Sequence, residues 1–171
     1  VIYNDFDNYR QRLENIGRTN TLLAEIRDMV KGCPRDKRIP EAIKQAIIAR
    51  LWCEEKSGFV DYITLSASLL FSMKYCLSLE ELKKETFYNN VRKTDYPSCD
   101  DYLAGIETIS CDYKVLFEKY KDIPNVVFLV DPPYLSTETG TYNMYWKLSD
   151  YLDVLTILCD RQYVYFTSNK S

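Results

Sequence analysis

Apolar residues recur every three or four positions over much of the chain, a spacing that predicts amphipathic helices. One helix is expected to carry Tyr9, Leu13 and Ile16 on one face, with Asp7 as its cap and Gly17 as its stop signal. Two longer helical patterns follow, over residues 22–30 and from Pro40 to Gly58. Residues 59–77, 79–84 and 148–160 also favour helix, and 101–108 and 112–121 favour helices or turns.

Strand signals lie near the two ends of the chain. The run Asn125–Val130 is short, β-branched and aromatic, and it predicts a fully buried strand. Residues 1–3 and 162–168 have similar character. The order of strand, helical insert, strand, helix and strand predicts an α/β protein. We expect a catalytic domain formed by residues 1–30 and 101–171, with a mainly helical target-recognition insert at 31–100.

The segment Asp131-Pro132-Pro133-Tyr134 directly follows the run that ends at Val130. Open α/β sheets place ligand sites at the carboxyl ends of their strands. The Asp131 carboxylate and the Pro132 carbonyl can each accept a hydrogen bond from an exocyclic amine, and the Tyr134 ring could stack on the base. Such bonds would turn the nitrogen lone pair toward an incoming methyl group. The plainer interpretation is a proline-rich turn that ends a strand.

Four segments together resemble the adenine-N6-specific DNA methyltransferases of the bacterial Dam type. Asp131-Pro132-Pro133-Tyr134-Leu135 resembles the family's catalytic motif. Val1–Asp7 resembles its second strand with the following acidic residue. The two remaining segments are Ile109–Tyr113, similar to a short motif before the catalytic strand, and Gln162–Asn169, similar to the next strand and its polar end. The resemblance implies a Rossmann-like methyltransferase fold, S-adenosylmethionine as cofactor and direct methyl transfer without a covalent enzyme intermediate.

The resemblance also assigns the cofactor residues. Asp5 occupies the family's ribose-binding position, where a carboxylate takes both ribose hydroxyls. Asp112 would accept a hydrogen bond from the adenine amino group of the cofactor, with Tyr113 against its ring. A strand-end helix cap is the alternative role for Asp5, and a helix N-cap is the alternative for Asp112.

Charge is unevenly distributed along a chain of net charge -3. Residues 31–97 hold 12 Lys or Arg against 9 Asp or Glu, whereas the remainder holds 10 against 16. A mildly basic insert on an acidic body suits a lobe that faces double-stranded DNA. The expected DNA contacts are Arg92, Lys93, Asn89 and Tyr142, the last in a loop that would close over a flipped base. Ordinary solvated charge is the alternative.

The cysteine and histidine content narrows the chemistry. The six cysteines form no CxxC pair and the chain has no histidine, which argues against a zinc site and excludes histidine-based acid–base catalysis. Scattered thiols without a secretory signal indicate a reduced, cytoplasmic protein. No apolar run approaches the roughly 20 residues of a membrane span.

The main departure from the family pattern is at the start of the chain. Family members carry an aromatic-x-Gly-x-Gly cofactor loop before the ribose-binding acid, and none of the five glycines here forms a GxG. The sheet would then lack its central first strand. We therefore expect that the sequence is a fragment, and that these 171 residues alone bind S-adenosylmethionine poorly.

Three functions compete. The first is a site-specific DNA adenine-N6 methyltransferase of phage or restriction-modification type, for which a cognate restriction endonuclease is a conceivable partner. The second is an amino methyltransferase that acts on RNA or on cytosine N4. The third is a degenerate, non-catalytic methylase that binds DNA or a partner subunit. The intact Asp131–Tyr134 turn favours the first over the third.

Overall fold

The structure is a computed structural model of the 171-residue chain. It describes residues 1–5, 7–71, 74–99, 101–132 and 146–167. The chain divides into two compact units. The α/β unit comprises residues 1–7 and 106–171, and the helical unit comprises residues 8–105. The division into a catalytic domain and a recognition insert concerns function and stays a prediction.

The helical unit is organised around one hydrophobic core. Leu22, Leu23 and Ile26 lie in that core together with Ile47 and Leu51, all nearly inaccessible to solvent. The periodicity at 22–30 therefore does mark a core-facing helix. The helices are α1 (Tyr9–Glu14), α2 (Ile16–Met29), α3 (Glu41–Ser57), α4 (Tyr62–Leu69) and α5 (Leu79–Lys84).

A buried carboxylate fixes the start of α4. Asp61 is the N-cap, and its Oδ1 accepts a hydrogen bond from the Thr64 backbone N–H at 2.9 Å. The Arg12 guanidinium of α1 forms an ion pair with the same carboxylate, with Nε 3.1 Å from Oδ2. Asp61 is almost completely buried and Arg12 is partly buried. This contact ties α1 to α4, which are about 50 residues apart in the sequence.

The α/β unit contains two pairs of parallel strands. Strand β1 (Ile2–Asn4) pairs with β2 (Glu107–Ile109), and Asn4 lies opposite Ile109. Strand β3 (Val127–Val130) pairs with β4 (Gln162–Tyr165), and Val130 lies opposite Tyr165. Among the described residues the two pairs are separate ladders. The observed class is mixed α/β with small parallel sheets.

Two helices cover one face of the β3–β4 pair. They are α6 (Tyr113–Tyr120) and α7 (Leu148–Leu158). Phe128 and Val130 point into the core they form. The alternate side chains, Val127 and Leu129, are 51% and 69% exposed. The expectation of a fully buried strand is therefore wrong: successive side chains of a strand point to opposite faces, and only one face is covered here.

Three local expectations are also wrong. The N-cap of α1 is Asn8 in a left-handed conformation, not Asp7, and Gly17 lies inside α2 rather than ending a helix. Residues 107–109 form a strand because they pair with β1, a partner that periodicity does not reveal.

The helix expected over residues 59–77 is much shorter than its apolar pattern. Helix α4 ends at Leu69, whose carbonyl accepts a hydrogen bond from the Tyr88 N–H at 2.7 Å. The Ser68 carbonyl similarly accepts from the Asn90 N–H at 3.2 Å. These hydrogen bonds from distant residues take the place of those that a further turn of the helix would make. The residues around position 69 do not indicate such partners.

None of the helices in the described ranges is long and apolar enough to span a membrane.

Replacing Asp61 by Ala should lower the free energy of unfolding by about 3 kcal/mol, because it removes an N-cap and leaves the partly buried Arg12 without its counter-charge. The matched control is Ser78→Ala, which removes only the N-cap of α5 and should cost about 1 kcal/mol. Urea unfolding followed by circular dichroism measures both. Equal losses for the two variants would contradict the importance of the Arg12–Asp61 pair.

Candidate active site

The candidate catalytic residues follow β3. Asp131 is the first residue after the strand and is exposed, whereas Pro132 is buried. The Phe166 N–H donates to the Val130 carbonyl at 2.9 Å, so the ladder holds the chain up to the residue before Asp131. Pro133 and Tyr134 lie outside the described residues.

This arrangement offers hydrogen-bond acceptors from adjacent residues. An ionised carboxylate only accepts hydrogen bonds, and a proline contributes a carbonyl but no N–H. Burial of the Pro132 ring restricts that residue while Asp131 remains accessible to solvent. Asp131 and Pro132 therefore carry acceptor oxygens of the kind that a group with two N–H donors, such as an exocyclic amine, requires.

Asp5 lies at the carboxyl end of β1. Its backbone N–H donates to the Ile109 carbonyl at 2.6 Å and so continues the β1–β2 ladder beyond the last strand residue. Only 6% of the residue is exposed, which is unusual for a carboxylate. Its position at a strand end, next to a parallel neighbour, is the place where α/β sheets hold ligands.

Asn4 contributes to this region although sequence reasoning did not identify it. Its side-chain Nδ2 donates to the Cys111 carbonyl at 2.9 Å, and its Oδ1 accepts from the Cys111 N–H at 3.1 Å. The amide thus holds both polar groups of one backbone residue just past β2. Asn is common in turns that follow strands, so the sequence alone does not distinguish Asn4 as a site residue.

Asp112 is the N-cap of α6. Its Oδ1 accepts a hydrogen bond from the Lys114 N–H at 2.8 Å. The structure therefore shows the capping role that was the alternative for this residue. The cap uses one oxygen of this exposed side chain. The role of Asp112 in cofactor binding stays a prediction.

Tyr113 packs within the α/β unit. Its ring centroid lies 4.7 Å from that of Trp146, and its hydroxyl donates to Asp150 Oδ1 at 3.3 Å. Burial raises the pKa of the Tyr113 hydroxyl, and the nearby Asp150 carboxylate adds to that effect. The hydroxyl therefore remains protonated at neutral pH and serves as a donor. Its ring contacts another aromatic side chain, which rigidifies the start of α6.

The residues expected at the DNA have different surroundings. Arg92 is exposed, lies 4.4 Å from the Tyr96 ring centroid and donates from Nε to the Thr94 carbonyl at 3.0 Å. Lys93 is exposed. Asn89 is only 8% exposed, and its Nδ2 donates to the Cys33 carbonyl at 2.8 Å. This amide stabilises the protein itself. Tyr142 lies outside the described residues.

The predicted residues of the α/β unit fall into two groups, one for each pair of parallel strands. Asp5 and Asp112 follow adjacent parallel strands, β1 and β2, while Asp131 and Pro132 follow β3. Three of the candidate DNA residues, Asn89, Arg92 and Lys93, belong to the helical unit.

Comparison with curated proteins finds a relative in Haemophilus influenzae that is described as "Putative methyltransferase". It is 38% identical over 174 aligned residues, which include all of this chain and 58% of the relative. The chain therefore spans less than two thirds of the relative's length. No protein-family model matches the chain, and no solved structure does. Over its whole length, the chain is homologous to part of a protein described as a methyltransferase.

Proposed function

We propose that this protein is a DNA adenine-N6 methyltransferase. The observation that carries the proposal is the Asp131-Pro132-Pro133-Tyr134 segment directly after strand β3, in a chain homologous to a protein described as a methyltransferase. The homology supports methyl transfer in general. The choice of adenine in DNA comes from the resemblance of the four sequence segments to the Dam-type enzymes.

The proposed role of the turn is to position the target amine. The Asp131 carboxylate and the Pro132 carbonyl each accept one N–H of the adenine amino group. These hydrogen bonds direct the nitrogen lone pair, which is otherwise delocalised into the ring, and they stabilise the positive charge that develops on nitrogen. Tyr134 stacks on the base. Correct positioning then supplies most of the rate enhancement.

The cofactor assignment is S-adenosylmethionine, which supplies an activated methyl group when bound. A carboxylate at a strand end fits paired ribose hydroxyls, and Asp5 has that location and burial. Asn4 would keep the neighbouring backbone in place through its two bonds to Cys111. Asp112 is the proposed acceptor for the adenine amino group and Tyr113 the proposed ring contact.

The proposed macromolecular partner is double-stranded DNA. An adenine amino group lies inside the duplex, so the enzyme would flip the base out before methylation. RNA or cytosine N4 as the acceptor would use the same turn in the same way. A non-catalytic role would need no intact turn.

The substrate test uses the complete natural protein with S-adenosylmethionine tritiated in its methyl group. The protein is incubated with unmethylated DNA, with RNA in a parallel sample, and the labelled nucleoside is identified after digestion. We expect label in N6-methyladenine from DNA. Label confined to RNA or to cytosine would contradict the acceptor, and absence of label despite DNA binding would support the non-catalytic alternative.

Replacing Asp131 by Ala should reduce turnover at least about a hundredfold, because one of the two groups that orient the amine is lost. DNA affinity should change little. Asp131→Asn retains one acceptor oxygen and should lose less activity. The control is Asp122→Ala, which removes an exposed carboxylate paired with Arg161. Normal turnover of Asp131→Ala in steady-state assays would refute the catalytic assignment.

Replacing Asp5 by Asn should weaken S-adenosylmethionine binding about tenfold, because the amide has only one acceptor oxygen for the two ribose hydroxyls. Isothermal titration calorimetry on the complete protein measures the change. Asp7→Asn is the control, since Asp7 is exposed two residues further along. Equal affinity of the Asp5 variant and the wild type, with unchanged thermal unfolding, would remove Asp5 from the cofactor site.

A further inference from the structure

We propose that five exposed cations of the helical unit form a surface that binds the phosphate backbone of DNA. This basic surface consists of Lys31, Lys37, Arg38, Arg92 and Lys93. The inference rests on the proposed function and specifies where the helical unit would contact its substrate. It adds the segment 31–38 to the DNA contacts that the sequence predicts at Arg92 and Lys93.

Backbone pairing brings the two basic segments together. Arg38 forms an antiparallel bridge with Tyr88. The Asn89 N–H donates to the Lys37 carbonyl at 2.9 Å, and the Asp36 N–H donates to the Asn89 carbonyl at 3.1 Å. Residues 31–38 therefore run beside the segment that leads directly into Arg92 and Lys93. About 55 residues of sequence separate the two groups of cations that share this surface.

Side-chain hydrogen bonds connect segment 31–38 to residues 89–91. The Asn89 amide donates to the Cys33 carbonyl at 2.8 Å, and the Arg35 guanidinium donates to the Asn90 carbonyl at 3.2 Å and to the Val91 carbonyl. Ile39 and Phe87 anchor the paired segments in the hydrophobic core. Arg35 and Asn89 are therefore positioning residues, and a surface that is already ordered pays less entropy on binding.

Charge is strongly concentrated here. The segments 31–38 and 92–93 contain six Lys or Arg and one Asp, whereas the rest of the chain contains 16 Lys or Arg and 24 Asp or Glu. In the part of the chain that the structure describes, none of the five cations forms an ion pair with a carboxylate. Cations without protein counter-charges can release DNA counterions when they contact phosphates.

Aromatic side chains adjoin the basic surface. Tyr88, opposite Arg38 in the bridge, packs against Phe71 with ring centroids 5.5 Å apart. Phe71 is 63% exposed. Aromatic rings interleaved with cations are typical of nucleic-acid-binding surfaces.

The test is the double variant Lys37→Gln/Arg38→Gln in the complete natural protein. Fluorescence anisotropy with a short DNA duplex, repeated at several salt concentrations, gives the affinity and its salt dependence. We expect about tenfold weaker binding, and a slope of log K against log salt that is smaller in magnitude by about two, because two phosphate contacts are lost. Both side chains are exposed, so thermal unfolding should not change.

The matched control is Lys119→Gln/Lys121→Gln, which removes the same charge from the last turn of α6 and from its C-cap, in the α/β unit. It should bind DNA nearly as the wild type does. Equal weakening in both double variants would overturn the inference, since net charge alone would then explain the loss. A Lys37/Arg38 variant with the same DNA affinity and salt slope as the wild type would also overturn the inference. In that case, methylation of DNA by the wild-type protein would still support the proposed function. A wild type that neither binds nor methylates DNA would refute the proposed function together with this surface.

Discussion

Parallel register is the constraint on which the candidate active site depends. When two strands run in the same direction, the residues that follow them emerge at the same edge of the ladder. The pairing of Asn4 with Ile109 therefore brings Asp5 and the segment before Asp112 to one edge. The pairing of Val130 with Tyr165 determines where Asp131 leaves β3. Without these short ladders, nothing would hold Asp5 and the segment before Asp112 at a common edge.

The helical unit depends on a different kind of contact, between segments without regular secondary structure. Residues 87–91 pair with the loop before α3. The N–H groups of Tyr88 and Asn90 donate to carbonyls at the end of α4. The buried residues Phe87, Asn89 and Val91 alternate along this segment with the half-buried Tyr88 and Asn90. One irregular segment thus ends a helix, orders a loop and brings separated cations together.

Sequence reasoning succeeded where the signal is local. Helix α5 has the predicted bounds, and α3 and α7 lie close to theirs, because helical periodicity and terminal residues are properties of neighbouring positions. Helix α2 ends near the predicted residue but begins earlier, at Ile16. Sequence reasoning was wrong at β2 and at the end of α4, where a partner distant in the sequence decides the outcome. At Asn89, the same kind of distant contact engages the side-chain amide with the Cys33 carbonyl. The predicted roles of Asp131 and Pro132 came from their position after an apolar run and from motif resemblance, and that of Asp5 came from the resemblance. The structure locates these residues just past strand ends.

By itself, the sequence determined the chemistry that is available: an acid-Pro-Pro-aromatic turn after an apolar run, no histidine, and a surplus of cations at 31–38. Tertiary structure decided how these groups are used. It buried Asp5, engaged Asn89 within the protein, capped α6 with Asp112 and left Lys37 and Arg38 exposed beside Tyr88. The physical reason is that burial and hydrogen-bond partnership depend on residues distant in the chain, whereas side-chain type and local periodicity do not.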